Sequence, residues 1–332
     1  MNLPFERLKT ERLPALTEFE CVHLLYWKWT KQGGTTEERP FRPLWMRGSV
    51  FFQNRRRNEQ VKTLFVGAGS MAHALMSGAL KAGVLDKEEV YVTNRANRER
   101  LEEITHEFCV RKGERDAVYD VIILAMKPKD FQEAAKSIRA FLSENTLVIS
   151  VLAGITMEHI SDKLSFNGAV ARAMPNTSAA MGKSATAVSF NRHLSNSQKE
   201  WTKTLFQSVG TAAEIEEEKL DLITALSGSG PAYIYYVAEL LKDAAVELGL
   251  EENLAESLVT QTIAGASAML RESGLDAQEL RRNVTSAGGT TEAGIAALEE
   301  YQVRDAFFQC ISSAKNRSQE LGSELQKQSL KK

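Results

Sequence analysis

The stretch from Val61 to Gly83 limits the fold of this chain more than any other. Residues 61–66 (VKTLFV) form an apolar run too short for a helix. Residues 70–82 then place Met71, Ala74, Leu75, Ala79 and Leu80 at helical spacing and stop at Gly83. A buried strand, a glycine turn and a glycine-stopped helix, in that order, predict the opening unit of an open parallel sheet. The turn is Gly67-Ala68-Gly69-Ser70-Met71-Ala72, of the form G-x-G-x-x-A. Between a strand and a helix this pattern is a dinucleotide-binding fingerprint. Gly67 makes the tight turn, Gly69 lets the backbone approach a pyrophosphate, and Ala72 lets the helix pack close on the sheet. The phosphates then face free N–H groups at the positive end of the helix. A glycine turn that serves only chain reversal is the weaker alternative in this setting.

The same grammar continues downstream. Strands are expected at residues 90–93, 121–125, 147–151, 169–173 and 185–189, with helices around 99–108, 131–141 and 196–208. The pattern predicts an α/β fold with a Rossmann-type, doubly wound parallel sheet. After a last strand near 212–215 the strand signal stops. Helices alone are expected, at 232–248, 254–272, 277–283, 292–300 and 303 to about 326. We therefore expect a dinucleotide-binding domain over 61–216 and an all-helical domain over 217–332.

Residues 1–60 differ from the rest. They hold eleven Lys/Arg against seven Asp/Glu, which leaves −6 for the remainder of a chain whose net charge is −2. They also carry four of the seven prolines and three of the four tryptophans, and neither the helical nor the strand period is sustained. They read as a weakly ordered extension, with a basic binding arm around Arg55-Arg56-Arg57 or a transit peptide as alternatives. The near-neutral total argues against a nucleic-acid partner. No apolar run approaches a membrane span, so no membrane partner is expected. Cys21, Cys109 and Cys310 lack disulfide or zinc spacing, and the five histidines lack metal-ligand spacing, so we expect no metal and a reducing, cytoplasmic setting.

Two further segments carry chemistry. At the end of the second strand, where NAD enzymes place an acid for the ribose, this chain has Thr93-Asn94-Arg95-Ala96-Asn97-Arg98. Asn94 and the guanidinium groups of Arg95 and Arg98 favour a ribose 2′-phosphate, hence NADPH, with NADH as the alternative donor. In the helical part, Thr285-Ser286-Ala287-Gly288-Gly289-Thr290-Thr291 is a small polar turn leading into a helix near Glu292. Backbone N–H groups of Gly288, Gly289, Thr290 and Thr291, with the hydroxyls of Ser286, Thr290 and Thr291, could bind a carboxylate or phosphate. A plain helix cap accounts for the same residues equally well. Residues 226–233 (LSGSGPAY) read as a second glycine/serine turn, one that connects domains rather than takes part in catalysis.

Residues 61 to about 326 resemble the pyrroline-5-carboxylate reductase family. The matching pieces run in order: VGAGSMA at 66–72, LAMKP at 124–128, AGIT at 153–156, RAMPNT at 172–177, ALSGSGPAY at 225–233 and VTSAGGTTEAGIAALE at 284–299. Ala287 stands where the family commonly has proline, and Lys112 near a position where the family often has an asparagine. The resemblance implies reduction of L-1-pyrroline-5-carboxylate to L-proline with a nicotinamide cofactor, in a homodimer or higher homo-oligomer built through the helical domain. It implies that residues 286–291 bind the substrate carboxylate and that Thr291 Oγ hydrogen-bonds the ring nitrogen as the catalytic residue. Ala125, Met126, Lys127, Pro128, Val151, Leu152 and Ala153 would line the cofactor, and Asn283 would reach it from the helical domain. Asn176 is a weaker candidate. The alternatives are a β-hydroxyacid-dehydrogenase-like enzyme using Lys242 as its catalytic lysine, and a non-catalytic homologue with a regulatory role.

Overall fold

The computed structural model describes residues 61–330 except Ala96, Arg115 and Asp116. The extension at 1–60 lies outside the described residues. Eight strands form one sheet in the order β3-β2-β1-β4-β5-β6-β7-β8. They are β1 Thr63–Val66, β2 Val90–Thr93, β3 Arg111–Lys112, β4 Val121–Leu124, β5 Leu147–Ser150, β6 Ala169–Met174, β7 Ser184–Phe190 and β8 Gly210–Glu214. The helices among them are α1 Ser70–Lys81, α2 Arg98–Phe108, α3 Phe131–Ile138, α4 Met157–Leu164 and α5 Asn196–Gln207. The first six strands follow the 3-2-1-4-5-6 order of dinucleotide-binding sheets, so the crevice opens between β1 and β4, where the strand order reverses.

Strand residues face alternately to the two sides, and both sides are covered. Phe65, Val90, Val92, Ile123 and Ile149 pack with Leu75, Ile104, Trp201 and Phe206 on one face. Leu64, Val66, Ile122, Leu124 and Val148 pack with Phe131, Ile138 and Ile160 on the other. This two-sided burial is why the strands read as continuous apolar runs rather than as alternation. Each fully buried Leu, Ile or Phe contributes about 1.5–3 kcal/mol.

One neighbouring pair departs from the expected parallel arrangement: β6 and β7 run antiparallel, with Ala171 opposite Phe190 and Met174 opposite Ala187. Between them stand Pro175, Asn176, a short 3-10 helix Thr177–Met181 and then Gly182 and Lys183. That link is too short for the crossover a parallel pair requires, so the chain turns back on itself. The sequence reading also misses β3, a two-residue polar edge strand, and α4, which Thr156 caps by accepting from the His159 N–H at 3.2 Å.

Beyond β8 only helices follow: α6 Leu220–Ile223, α7 Gly230–Glu247, α8 Glu252–Glu272, α9 Ala277–Asn283, α10 Thr290–Glu300 and α11 Val303–Leu330. Residues 226–233 are helical apart from a bend at Ser229, not a connecting loop. Thr224–Gly228 is a π-helical turn between α6 and α7, closed by the Ser229 N–H donating to the Thr224 carbonyl at 2.8 Å. The wider turn presents the Ser227 carbonyl to Asn176 Nδ2 at 3.0 Å. Among the described residues no helix is long and apolar enough to cross a membrane.

Candidate active site

The glycine turn sits at the point of strand reversal because two constraints hold it there. Gly67 has φ +115°, and a Cβ on it would lie 2.5 Å from the Ala125 carbonyl oxygen and 2.8 Å from the Met126 nitrogen. No L side chain fits such an approach. The Gly67 N–H donates to the Thr93 carbonyl at 2.8 Å, the Ala125 N–H to that of Val66 at 2.9 Å, and the Val151 N–H to that of Leu124 at 3.1 Å. The carboxyl ends of β1, β2, β4 and β5 thus form one rim. That rim brings residues 67–72, Asn94, residues 125–128 and residues 151–153 together. Gly69 precedes α1 with no side chain capping it and no acid in the first turn, and nothing lies within 4 Å of where its Cβ would be. The helix end is therefore open to an anion, and Ala72 is fully buried beneath it. These residues fit the diphosphate of a dinucleotide.

The end of β2 carries partners that sequence reasoning missed. Asn94 is half-buried and Arg95 exposed. The Arg95 guanidinium is ion-paired with Glu133 of α3, and that hydrogen bond raises its already high pKa. Asn97 caps α2 by accepting from the Arg100 N–H at 2.8 Å. Arg100 Nε donates to the Ala68 carbonyl at 3.3 Å, and its NH1 donates to Glu103 at 2.8 Å. Arg100 thereby ties the glycine turn to α2, while Arg98 is exposed at the start of that helix. Lys112 lies on the edge strand β3 and pairs with Glu102.

In the helical part, α10 begins at Thr290 rather than near Glu292, so Thr290 and Thr291 belong to its first turn. Gly288 has φ +71°, and the Gly289 N–H donates to the Ser286 carbonyl at 3.0 Å. A Cβ on Gly289 would lie 2.5 Å from the rotatable Ser286 Oγ and 3.0 Å from the Ser286 carbonyl oxygen, so a side chain there would crowd the turn. Glu292 Oε2 accepts from the Gly288 N–H at 2.7 Å. Asn283 ends α9 just before this turn. Among the described residues, no hydrogen bond or ion pair joins residues 286–291 to the β-strand rim. A cavity of about 650 Å³ beside α10, lined by Arg281, Ile295, Leu298, Glu299 and residues 302–305, contains none of the expected site residues.

Other contacts tie the two regions together. Arg172 of β6, 4% exposed, is ion-paired with Glu217 at 2.8 Å, and the same carboxylate oxygen accepts from the Met157 N–H of α4 at 2.7 Å. Within the helical region, Ser318 of α11 donates to Asp221 of α6 at 2.7 Å. The loop after β5 meets α11, where a Cβ on Gly322 would overlap the Gly154 carbonyl oxygen. Asn176 is engaged on all sides: its Nδ2 donates to Ser227, its Oδ1 accepts from the Ser178 N–H and its N–H donates to Ser184 Oγ. It serves as a clasp between sheet and π-turn. Lys242 Nζ, on α7, is paired with Glu252 at 3.2 Å and Asp243 at 3.8 Å. The hydrogen bond to Glu252 raises its pKa. The signal for most of these pairs was absent locally, because the partners lie up to 97 residues apart.

Comparison with known proteins agrees with both regions. Residues 217–321 match the family model for pyrroline-5-carboxylate reductase dimerisation, and residues 62–154 match that for NADP oxidoreductase, coenzyme F420-dependent. Pyrroline-5-carboxylate reductase 2 of Bacillus subtilis is 45% identical over 261 residues, covering 77% of this chain and 94% of its own. A solved pyrroline-5-carboxylate reductase of Coxiella burnetii superposes with a TM-score of 0.73 at 34% identity, over 79% of this chain and 99% of its own. The Plasmodium falciparum enzyme, solved with NADP bound, gives a TM-score of 0.69 at 28% identity, over 79% and 98%. With both the crevice and the helical region accounted for by relatives of this kind, the chain belongs to the pyrroline-5-carboxylate reductase family of oxidoreductases.

Proposed function

We propose that this protein reduces L-1-pyrroline-5-carboxylate to L-proline, the closing reaction of proline biosynthesis, with NADPH as the preferred hydride donor. When bound, the cofactor supplies a hydride to the imine carbon, and the C=N electron pair comes to rest on nitrogen. A protonated imine accepts hydride readily, so the chain's own residues have only to position and orient the reactants. The N–H groups around residues 67–72 hold the diphosphate, and Asn94 and Arg95 take the adenosine ribose and its phosphate. Residues 125–128 and 151–153 line the cofactor. In residues 286–291 the N–H groups of the first turn of α10 bind the substrate carboxylate, and Thr291 Oγ hydrogen-bonds the ring nitrogen. Residues 61–216 act as the dinucleotide-binding domain and residues 217–332 as the substrate and dimerisation domain.

The observation that carries this reading is the glycine turn at the start of α10, where Gly289 brings no capping side chain to the amides of Thr290 and Thr291, in a chain that also holds an open dinucleotide crevice. The active site is assembled between two copies in a homodimer or higher homo-oligomer, with Asn283 reaching the partner's cofactor, and a cytoplasmic setting suits this reaction. The exposed apolar side chains of the helical region, Tyr235, Tyr236, Leu240, Leu254, Leu258 and Phe308 among them, favour a second copy as their cover. The purified protein should oxidise NADPH when given pyrroline-5-carboxylate and yield proline, identified by mass spectrometry. NADPH oxidation without proline, or none at all, would sink the assignment.

A further inference from the structure

The turn assigned to the substrate carboxylate already holds a carboxylate of this chain. The Gly288 N–H donates to Glu292 Oε2 at 2.7 Å, from a side chain in the first turn of α10. The adjacent Gly289 N–H is committed to the Ser286 carbonyl at 3.0 Å. The first intrahelical bond runs from the Ala293 N–H to the Gly289 carbonyl, so the amides of Thr290 and Thr291 precede the helical ladder, and no side chain caps them. A carboxylate arriving at these amides meets a second negative charge seated on the neighbouring amide. Both cannot stay without repulsion, and Glu292, on an exposed residue, is the one free to leave.

We propose that Glu292 is an internal stand-in for the substrate carboxylate, which displaces it on binding, and that this exchange sets how the site discriminates among imines. The inference rests on the reading that residues 286–291 bind the substrate carboxylate. In the free enzyme the stand-in keeps the Gly288 N–H satisfied and the turn in its anion-holding shape. Its displacement weakens the apparent affinity for every carboxylate-bearing ligand, product included. An imine without a carboxylate has nothing to exchange, so its binding does not sense Glu292. The residue acts on the substrate through adjacent amides of one turn and is a positioning residue, not a catalytic one.

The test is steady-state kinetics of E292Q and E292A, each with pyrroline-5-carboxylate and with 1-pyrroline, the same ring without a carboxylate. The Gln variant keeps an acceptor for Gly288 without the charge, which separates repulsion from capping. We expect KM for pyrroline-5-carboxylate and Ki for L-proline to fall together by about three- to tenfold in both variants, the range one ordinary solvent-exposed hydrogen bond supports. KM for 1-pyrroline should stay put. A KM for pyrroline-5-carboxylate that is unchanged or higher in both variants, or KM values for the two imines that move in parallel, would overturn the proposal and leave Glu292 as a helix cap. Those results differ from failure of the functional reading, in which the unaltered protein itself makes no proline and this inference falls with it.

Discussion

Every residue of β1, β4 and β5 is buried, whereas α7, α9 and α10 bury none within the chain. The two regions satisfy the same physical demand by different means. A sheet with helices on both faces covers its apolar side chains intramolecularly, and its stability belongs to one chain. The helical region turns Ile234, Tyr235, Leu241, Leu258, Met269 and Phe307 outward, an apolar surface larger than a free-standing domain keeps. The same region matches the family model for pyrroline-5-carboxylate reductase dimerisation. The region that closes on itself forms the crevice proposed for the cofactor, and the region with the open apolar surface carries the turn proposed for the substrate.

The comparison breaks first if the helical surface is not an interface. Replacing Leu241 and Leu258 together by Asp places two charges on the outward faces of α7 and α8. At a covered interface we expect dissociation by sedimentation and a fall in kcat/KM of at least roughly 100-fold, since an unpaired buried charge costs about 3–5 kcal/mol. A double variant that remains a dimer with full activity would show that the surface faces solvent. The sheet region should keep its fold in either case, as read by far-UV circular dichroism.

A second variant tests the seam. Glu217→Ala leaves Arg172 buried on β6 without its carboxylate and removes the acceptor of the Met157 N–H. We expect a loss of about 3 kcal/mol and a Tm lower by roughly 5–10 °C, because a buried charge stripped of its partner keeps its desolvation penalty. An unchanged Tm would mean that the two regions are stable independently of this pair.

Within the sites the effects are smaller. Thr291→Ala should raise KM for the imine and lower kcat, for a combined loss of about tenfold in kcat/KM, because the hydroxyl bonds a nitrogen whose charge changes during the reaction. Wild-type kinetics would remove Thr291 from the mechanism. The smallest effect is expected at the crevice edge. Arg95→Ala should lower kcat/KM with NADPH by about threefold and with NADH by less, since an exposed guanidinium that shares its charge with Glu133 contributes little. Glu133→Gln releases Arg95 and should raise the NADPH preference by about twofold, most visibly at low salt. Equal losses with both cofactors in the Arg95 variant would place the 2′-phosphate elsewhere.

What this sequence determines alone is what neighbours in the chain decide. The apolar run, glycine turn and helical period at 61–82 place β1, the rim turn and α1 to within two residues, and Ala277–Asn283 coincides with its expected helix. The closed turn at 286–291 was legible as well, because its glycines act on bonds only a few residues long. The short link between β6 and β7 could have announced their antiparallel pairing, but the apolar pattern of β7 reads alike in either direction. Tertiary structure alone decided the partners of Arg95, Arg100, Arg172, Asn176 and Ser318, the contact of Gly154 with Gly322 and the π-turn at Thr224–Gly228. Periodicity reports which face of an element is apolar, while these contacts depend on which element lies opposite. That follows from strand order and helix packing, to which residues far apart in the chain contribute together.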